Sequence, residues 1–369
     1  MRAAPGCGAG NKRRKMEQGM AISDSGEKRL HGGMTPATLK MVSERSGVSI
    51  RTVNRALKGE PGVSPATRRR IVELARELRY HPNLAARNLK LQRKSCVGVL
   101  TPRQECEVGS RKLSDLIFSL SAAGWNPLIG ELHAPREEIS AMLLNWSSLA
   151  DYVVVCGGPV LFPGGRCDAA LSEVPPEFID IAAEMPMEFI FLDAETGGDF
   201  YEVRIDRASG IADALNSLCR SGVRRVLRCG GFPNRDLSFR ELEGRLPAGL
   251  RIDTLQCSDR PEEIFAAAPA IAASGAEAVF FDTDRQALVF LNYAQLHGIR
   301  VPEELSVIGF DDDEAGRRFV PALSTVSQPI AALTGGVLEI LRRGSGAPRI
   351  QTFPTRFIPR GSSLRRGVR

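Results

Sequence analysis

The spacing of apolar residues changes near residue 95. Upstream, they recur at helical intervals. Leu39, Met41 and Val42 mark one short helix, and Val53 and Ala56 a second. Ile71, Val72, Ala75 and Leu78 mark a third. Downstream, compact apolar runs alternate with amphipathic stretches. Val97–Leu100, Pro127–Ile129, Tyr152–Cys156, Glu188–Leu192, Arg225–Cys229, Ile252–Cys257, Ala278–Asp282 and Leu305–Phe310 read as strands. Lys112–Ala123, Ala208–Cys219, Glu262–Ala273 and Arg285–His297 read as helices between them. Strands alternating with helices predict doubly wound parallel sheets. The region from 96 to 363 exceeds what one such sheet comfortably uses, so two subdomains are expected.

The first two helices are punctuated in detail. Thr38 is a candidate N-cap, and Gly47 can take the left-handed conformation that stops a helix. Ser49 caps the next, with Val48 placed to staple against Val53. At 100° per residue, Thr52, Val53 and Ala56 share one side of that helix. Ile50, Arg51, Asn54 and Arg55 share the other. A helix that packs by one face and offers cations and hydrogen-bonding groups on the other is built to enter a DNA major groove. An ordinary amphipathic helix with a solvated cationic face is the alternative reading. Ser64-Pro65 opens the third helix, with proline where its missing N–H costs nothing.

Charge points the same way. Residues 1–95 hold 21 Lys and Arg against 7 Asp and Glu, while the remainder holds 28 against 36. A basic excess confined to one end implies a polyanionic partner for that end alone.

Several ordered motifs give the chain a family resemblance. Val48-Ser49-Ile50-Arg51-Thr52-Val53-Asn54-Arg55-Ala56-Leu57, Val63-Ser64-Pro65-Ala66-Thr67-Arg68 and Tyr80-His81-Pro82-Asn83 are followed by Ala86-Arg87-Asn88-Leu89. Ser306-Val307-Ile308-Gly309-Phe310-Asp311-Asp312, Leu323–Pro329 and Arg360-Gly361-Ser362-Ser363 come later in the same order. Together they resemble the lactose-repressor (LacI/GalR) family over residues 35–363. The resemblance implies an all-α helix-turn-helix headpiece (34–81), a hinge segment (82–95) and an effector-binding and dimerisation domain (96–363). It makes that last domain a pair of periplasmic-binding-protein-like α/β subdomains. Residues 1–33 then form a tail or an over-called start before Met34, and 364–369 a second tail. Crossovers are implied near 194–203, 281–286 and 324–330, with a last helix, 330–343, returning to the first subdomain.

The resemblance also assigns roles. Ile50, Arg51 and Arg55 match base-reading positions: an arginine bonds guanine O6 and N7, and Ile50 offers apolar contact to a thymine methyl. Ser49, Thr52 and Asn54 match phosphate contacts, although Asn54 replaces a common serine. Ala86 and Leu89 match the hinge that wedges into the minor groove. Such a hinge folds only beside a partner hinge, which implies a homodimer on a near-palindromic operator. The effector would lie between the subdomains, beyond the strand ends. There Asp193, Arg240 (expected to open a helix), Thr283 and Asp311 are the candidate ligands. Helix or turn capping is the competing role for Asp193 and Asp311, and simple exposure for Arg240.

Thr283 stands where many members have Asn, Cys156 where some have a polar residue, and Asp259 where a stacking aromatic is common. Residues 101–111 carry no aromatic, and aromatics are 6% of the chain. The expected effector is therefore small and polar, a sugar or an anion, unless the pocket has decayed. The eight cysteines form no Cys-x-x-Cys or Cys/His cluster, so no metal and no cofactor are expected, and the thiols read as reduced and cytoplasmic. No apolar run approaches the roughly 20 residues of a membrane span. A solute-binding protein of the same fold would carry a secretory signal and no headpiece. No nucleophile-elbow or phosphate-loop motif supports an enzyme. Arg360–Arg369 shows no heptads for a tetramerising coiled coil.

Overall fold

The computed structural model describes residues 37–80, 94–102, 106–132, 135–157, 176–197, 199–258 and 260–363. The chain divides into two compact units, Met1–Arg87 and Asn88–Arg369. Ala86 and Leu89 of the expected hinge, the two tails and Asp259 lie outside the described residues.

In the first unit, α1 (Leu39–Ser46), α2 (Ile50–Leu57) and α3 (Pro65–Glu77) close around Val42, Val53, Ala56, Ile71 and Ala75. The local chemistry explains each boundary. Thr38, Ser49 and Ser64 accept from the N–H groups of Met41, Thr52 and Thr67 at 3.3, 3.2 and 3.2 Å. Gly47, at φ +68°, ends α1 and donates to Ser43 O. Met41, expected as an anchor, faces solvent, because Leu39 and Val42 define the buried stripe. Leu74 packs against the core where Val72 was expected; 71, 74, 75 and 78 keep the helical i, i+3, i+4, i+7 spacing.

The second unit holds two six-stranded sheets. The first runs β11-β5-β4-β3-β1-β2, and the second β12-β10-β9-β8-β6-β7. Their strands are β1 (Cys96–Thr101), β2 (Asn126–Glu131), β3 (Ala150–Cys156), β4 (Glu188–Leu192), β5 (Tyr201–Asp206), β6 (Arg225–Gly230), β7 (Arg251–Gln256), β8 (Ala278–Phe281), β9 (Ser306–Phe310), β10 (Ser324–Ser327), β11 (Ile350–Pro354) and β12 (Arg356–Ile358). All pairings are parallel except β10 with β12.

Both faces of each sheet are covered, which is why the central strands are almost wholly apolar. In β3, Val154 and Cys156 join a core with α4 (Glu107–Ala122) and α12 (Ile330–Arg343). Val153 and Val155 join the opposite core, with α5 (Arg136–Ser147) and α6 (Pro176–Glu184). The second sheet is enclosed likewise. On one face lie α7 (Arg207–Arg220) and α8 (Pro233–Glu241). On the other lie α9 (Pro261–Ala272) and α10 (Asp284–Leu296). A short α11 (Glu314–Arg318) follows β9.

The chain passes between the sheets three times, at two places other than expected. Residues 201–206 form β5, inside the first sheet, so the first crossing is at Asp206–Arg207 rather than 194–203. Residues 281–286 are no crossing, because α10 folds back onto its own sheet. The second crossing follows β10, within the expected 324–330, and α12 does return to the first subdomain. The third is Thr355, between β11 and β12. Thr355 N–H donates to Asp206 O, and Gly210 N–H donates to Thr355 Oγ1, so the first and third crossings are tied together.

Close packing at the end of β6 makes one glycine indispensable. A Cβ on Gly230 would stand 1.9 Å from Asp282 Oδ2. Gly230→Ala should lower stability by at least about 1–3 kcal/mol. Gly335→Ala, where a Cβ meets nothing within 4 Å, should raise it by about 0.5–1 kcal/mol. Urea unfolding of the two variants checks both signs.

Candidate functional site

On α2 the buried and exposed faces separate as their chemistry requires. Val53 and Ala56 are buried, while Ile50, Arg51, Asn54 and Arg55 are exposed. Ile50 is 48% exposed, a large apolar side chain left in water. Ser49 Oγ and Thr52 Oγ1 lie 2.9 Å apart, so both hydroxyls also serve the start of the helix. Arg55 Nε stands 3.8 Å from Glu60 Oε2, with both side chains nearly half exposed.

A second constellation gathers where the two sheets' strands end. Asp193 follows β4 at φ +60° and pairs with Lys112 of α4 and Arg207, the first residue of α7. Burial alone would raise its carboxyl; the two cations outweigh it and hold it at about 2. Asp311 follows β9 at φ +113°. Its Oδ1 accepts from Gln328 Nε2 at 2.6 Å and Arg235 Nη2 at 3.3 Å. Burial pushes Asp311 upward against the pull of Arg235. The Arg235 guanidinium lies 3.7 Å from the centroid of the Phe310 ring. Burial and the nearby Arg207 bring Arg235 down to about 10. Lys112, Asp193 and Arg207 thus face Arg235, Asp311 and Gln328. Among the described residues, Arg207 Nε and Gln328 Oε1 are buried without a partner.

Arg235, which the sequence reading missed, takes the place expected of Arg240. Arg240 does not open α8; it is exposed in the last turn, about 7 Å further along the axis. Arg235 lies in the first turn, where side chains meet the strand ends. Thr283 is committed to a capping box, accepting from Gln286 N–H while Gln286 Oε1 accepts from Thr283 N–H, both at 3.2 Å.

Behind Arg235 sits a buried ion pair. Arg228 donates to both Asp282 oxygens at 2.9 and 2.7 Å, and Asp282 Oδ2 also accepts from Gly231 and Phe232 N–H. A charged residue inside the apolar run Arg225–Cys229 was the available signal.

The subdomains touch across the cleft mouth. Arg111 of α4 donates to Asp312 O at 2.7 Å, and Glu107 Oε1 accepts from Glu314 N–H at 2.8 Å. Asp313 lies between them, 3.8 Å from Arg111. Burial first, then the Asp311 and Glu107 carboxylates, push it up to about 7 despite Arg111.

Comparison with known proteins agrees with this geometry. Residues 38–83 match the family described as bacterial regulatory proteins, lacI family, and residues 213–363 match a periplasmic binding protein-like domain. The HTH-type transcriptional repressor CytR of Escherichia coli (strain K12) is 30% identical over 312 residues, spanning 80% of this chain and 86% of that protein. The HTH-type transcriptional repressor PurR of Erwinia tasmaniensis is 29% identical over 340 residues, spanning 86% and 95%. The solved Lac repressor dimer bound to operator and the anti-inducer ONPF superposes with a TM-score of 0.69 at 19% identity, covering 89% of this chain and 100% of that one. The chain belongs to the lacI family, as a helix-turn-helix DNA-binding transcriptional regulator. No described helix is long and apolar enough to cross a membrane.

The position of Asp313 makes cleft closure depend on pH. Well below the ordinary carboxylate value of 3.8, it is protonated in open and closed forms alike. Between there and about 7, the closed form keeps a proton that the open, solvated form loses. Closure should therefore weaken as pH rises through that window. Asp313→Asn should flatten the dependence, read as energy transfer between dyes on the two subdomains.

Proposed function

We propose that the protein is a repressor that binds a near-palindromic operator as a homodimer in the cytoplasm, tuned by a small polar metabolite. The exposed Ile50, Arg51 and Arg55 read base edges, while Ser49, Thr52 and Asn54 hold phosphates. Ala86 and Leu89 of the hinge enter the minor groove. The observation that carries the reading is α2 itself: an apolar and cationic face left exposed on a helix whose other face is fixed in a core.

The effector lies between Asp193, Lys112 and Arg207 on one side and Asp311, Arg235 and Gln328 on the other. Gln328 Oε1 accepts from a ligand hydroxyl or amine, and Arg207 Nε donates to a ligand oxygen. Residues 101–111 carry no aromatic, so directional polar bonds rather than stacking select the ligand. A hydroxylated sugar or small anion fits that inventory. Effector binding shifts the subdomains and, through the crossings, the spacing of the two hinges. Thr283 supports the site through α10 rather than by direct contact.

Footprinting on genomic fragments, with and without a panel of metabolites, tests the whole. Arg55→Ala should cost about 1–3 kcal/mol of discrimination at one base pair per half-site. Equal losses on operator and random DNA would show that Arg55 only positions the protein. Arg235→Ala and Asp311→Asn should leave operator affinity intact and remove its response to the metabolite, a coupling of about 1–3 kcal/mol. A wild-type response in both variants places the pocket elsewhere.

A further inference from the structure

Two thiols meet where β6 and β7 end. Cys229 lies opposite Leu255 in the parallel ladder. Cys257 comes two residues after Leu255, so both cysteine side chains leave the same face of the sheet. The register persists past the last residue of β7, because Cys257 N–H donates to Gly230 O at 2.9 Å. Both side chains belong to one apolar cluster; Cys229 is fully buried and Cys257 half-buried. β7 is an edge strand, and Cys257 just beyond it keeps part of its surface in solvent while Cys229 keeps none.

We propose that Cys257 and Cys229 are a peroxide-reactive pair, with Cys257 attacking and Cys229 resolving. The electrostatics favour these roles. Hydrogen bonding from Cys229 S–H lowers the Cys257 thiol and raises Cys229. Cys106, Cys156 and Cys219 are all displaced upward, each chiefly by burial.

The chemistry closes with hydrogen peroxide as oxidant. The Cys257 thiolate attacks one peroxide oxygen, the O–O bond breaks, and hydroxide leaves. Cys257 is then a sulfenic acid. Cys229, its proton passed to that hydroxide, attacks the Cys257 sulfur. The S–O bond breaks, and the departing hydroxide takes up the proton that Cys257 released on forming its thiolate. Overall, two thiols and one peroxide give one disulfide and two waters; each sulfur loses one electron and the peroxide gains two.

The bond would be felt in the cleft. Closing it draws the end of β7 toward Gly230-Gly231, where room is short: a Cβ on Gly231 would stand 2.8 Å from Gln256 Oε1. The Gly231 and Phe232 amides hold Asp282, whose carbonyl accepts from Arg235 Nε at 3.4 Å. This link to regulation rests on the effector reading above; the thiol chemistry does not.

The test uses the full chain and no effector. Protein is treated with one equivalent of hydrogen peroxide, alkylated with iodoacetamide, digested and mapped by mass spectrometry. The expected first product is a disulfide-linked peptide pair containing Cys229 and Cys257. Cys257→Ser should abolish it. In Cys229→Ala, Cys257 should accumulate as a sulfenic acid captured by dimedone; if that variant does not fold, the wild-type map decides. Earlier oxidation of Cys106, or a reduced Cys257 at the end, overturns the proposal. Hydrogen exchange at 230–236 should quicken in the oxidised form, and unchanged exchange there overturns the link to the cleft.

Discussion

A carboxylate at zero exposure is tolerable only when it is paired and hydrogen-bonded, and Asp282 meets that demand with four donors. Arg228 takes both oxygens, and the amides of Gly231 and Phe232 add to one of them. Those amides belong to the turn that launches α8. The carboxylate therefore fixes the direction of that helix, and with it Arg235. Arg235 in turn meets Asp311 at the end of β9. One buried charge thus orients a chain of groups across three strands. Gly230 is part of the same arrangement, since only a residue without a Cβ lets the carboxylate approach.

The second crossing is bonded to this network, and the first and third are bonded to each other. Gln328 sits on the second crossing and donates to Asp311. Asp206, on the first, caps α7 by accepting from Ser209 N–H, and its carbonyl accepts from Thr355 on the third. A ligand at the proposed site, competing for Asp311 or Arg207, would therefore pull directly on the segments that join the sheets. Crossings tied in this way would carry a binding event without a long path of side chains.

How much the chain discloses depends on how local the physics is. The headpiece was legible because Thr38, Gly47, Ser49 and Ser64 act within a few residues of themselves. The central strands were legible because burial on both faces leaves them apolar. β5 was not: Glu202 and Arg204 look solvated, yet Glu202 is buried, bonded to Arg204 and Thr196. β10 reads as a polar turn, but Thr325 and Ser324 use their hydroxyls on Asp284 and on Arg360 O. The β10 bonds reach residues 36 and 41 positions away, and the Glu202 bonds join polar side chains two and six positions away; neither leaves an apolar period to read. The same blindness put two crossings in the wrong place. It also chose Arg240 over Arg235, since strand ends and first helical turns are met only in three dimensions.

The loose contact between Arg55 and Glu60 has a kinetic meaning. An ion pair this exposed is worth at most about 1 kcal/mol, too little to lock the arginine and enough to occupy it. Under the proposed base-reading role of Arg55, on random duplex with no guanine edge in register the guanidinium would keep its internal partner and add little residence time. If Arg55 reads a guanine edge as proposed, a bidentate contact there would outbid Glu60 and draw the side chain over. On the proposed reading the headpiece would scan quickly and stop selectively, with a glutamate setting the threshold between the two.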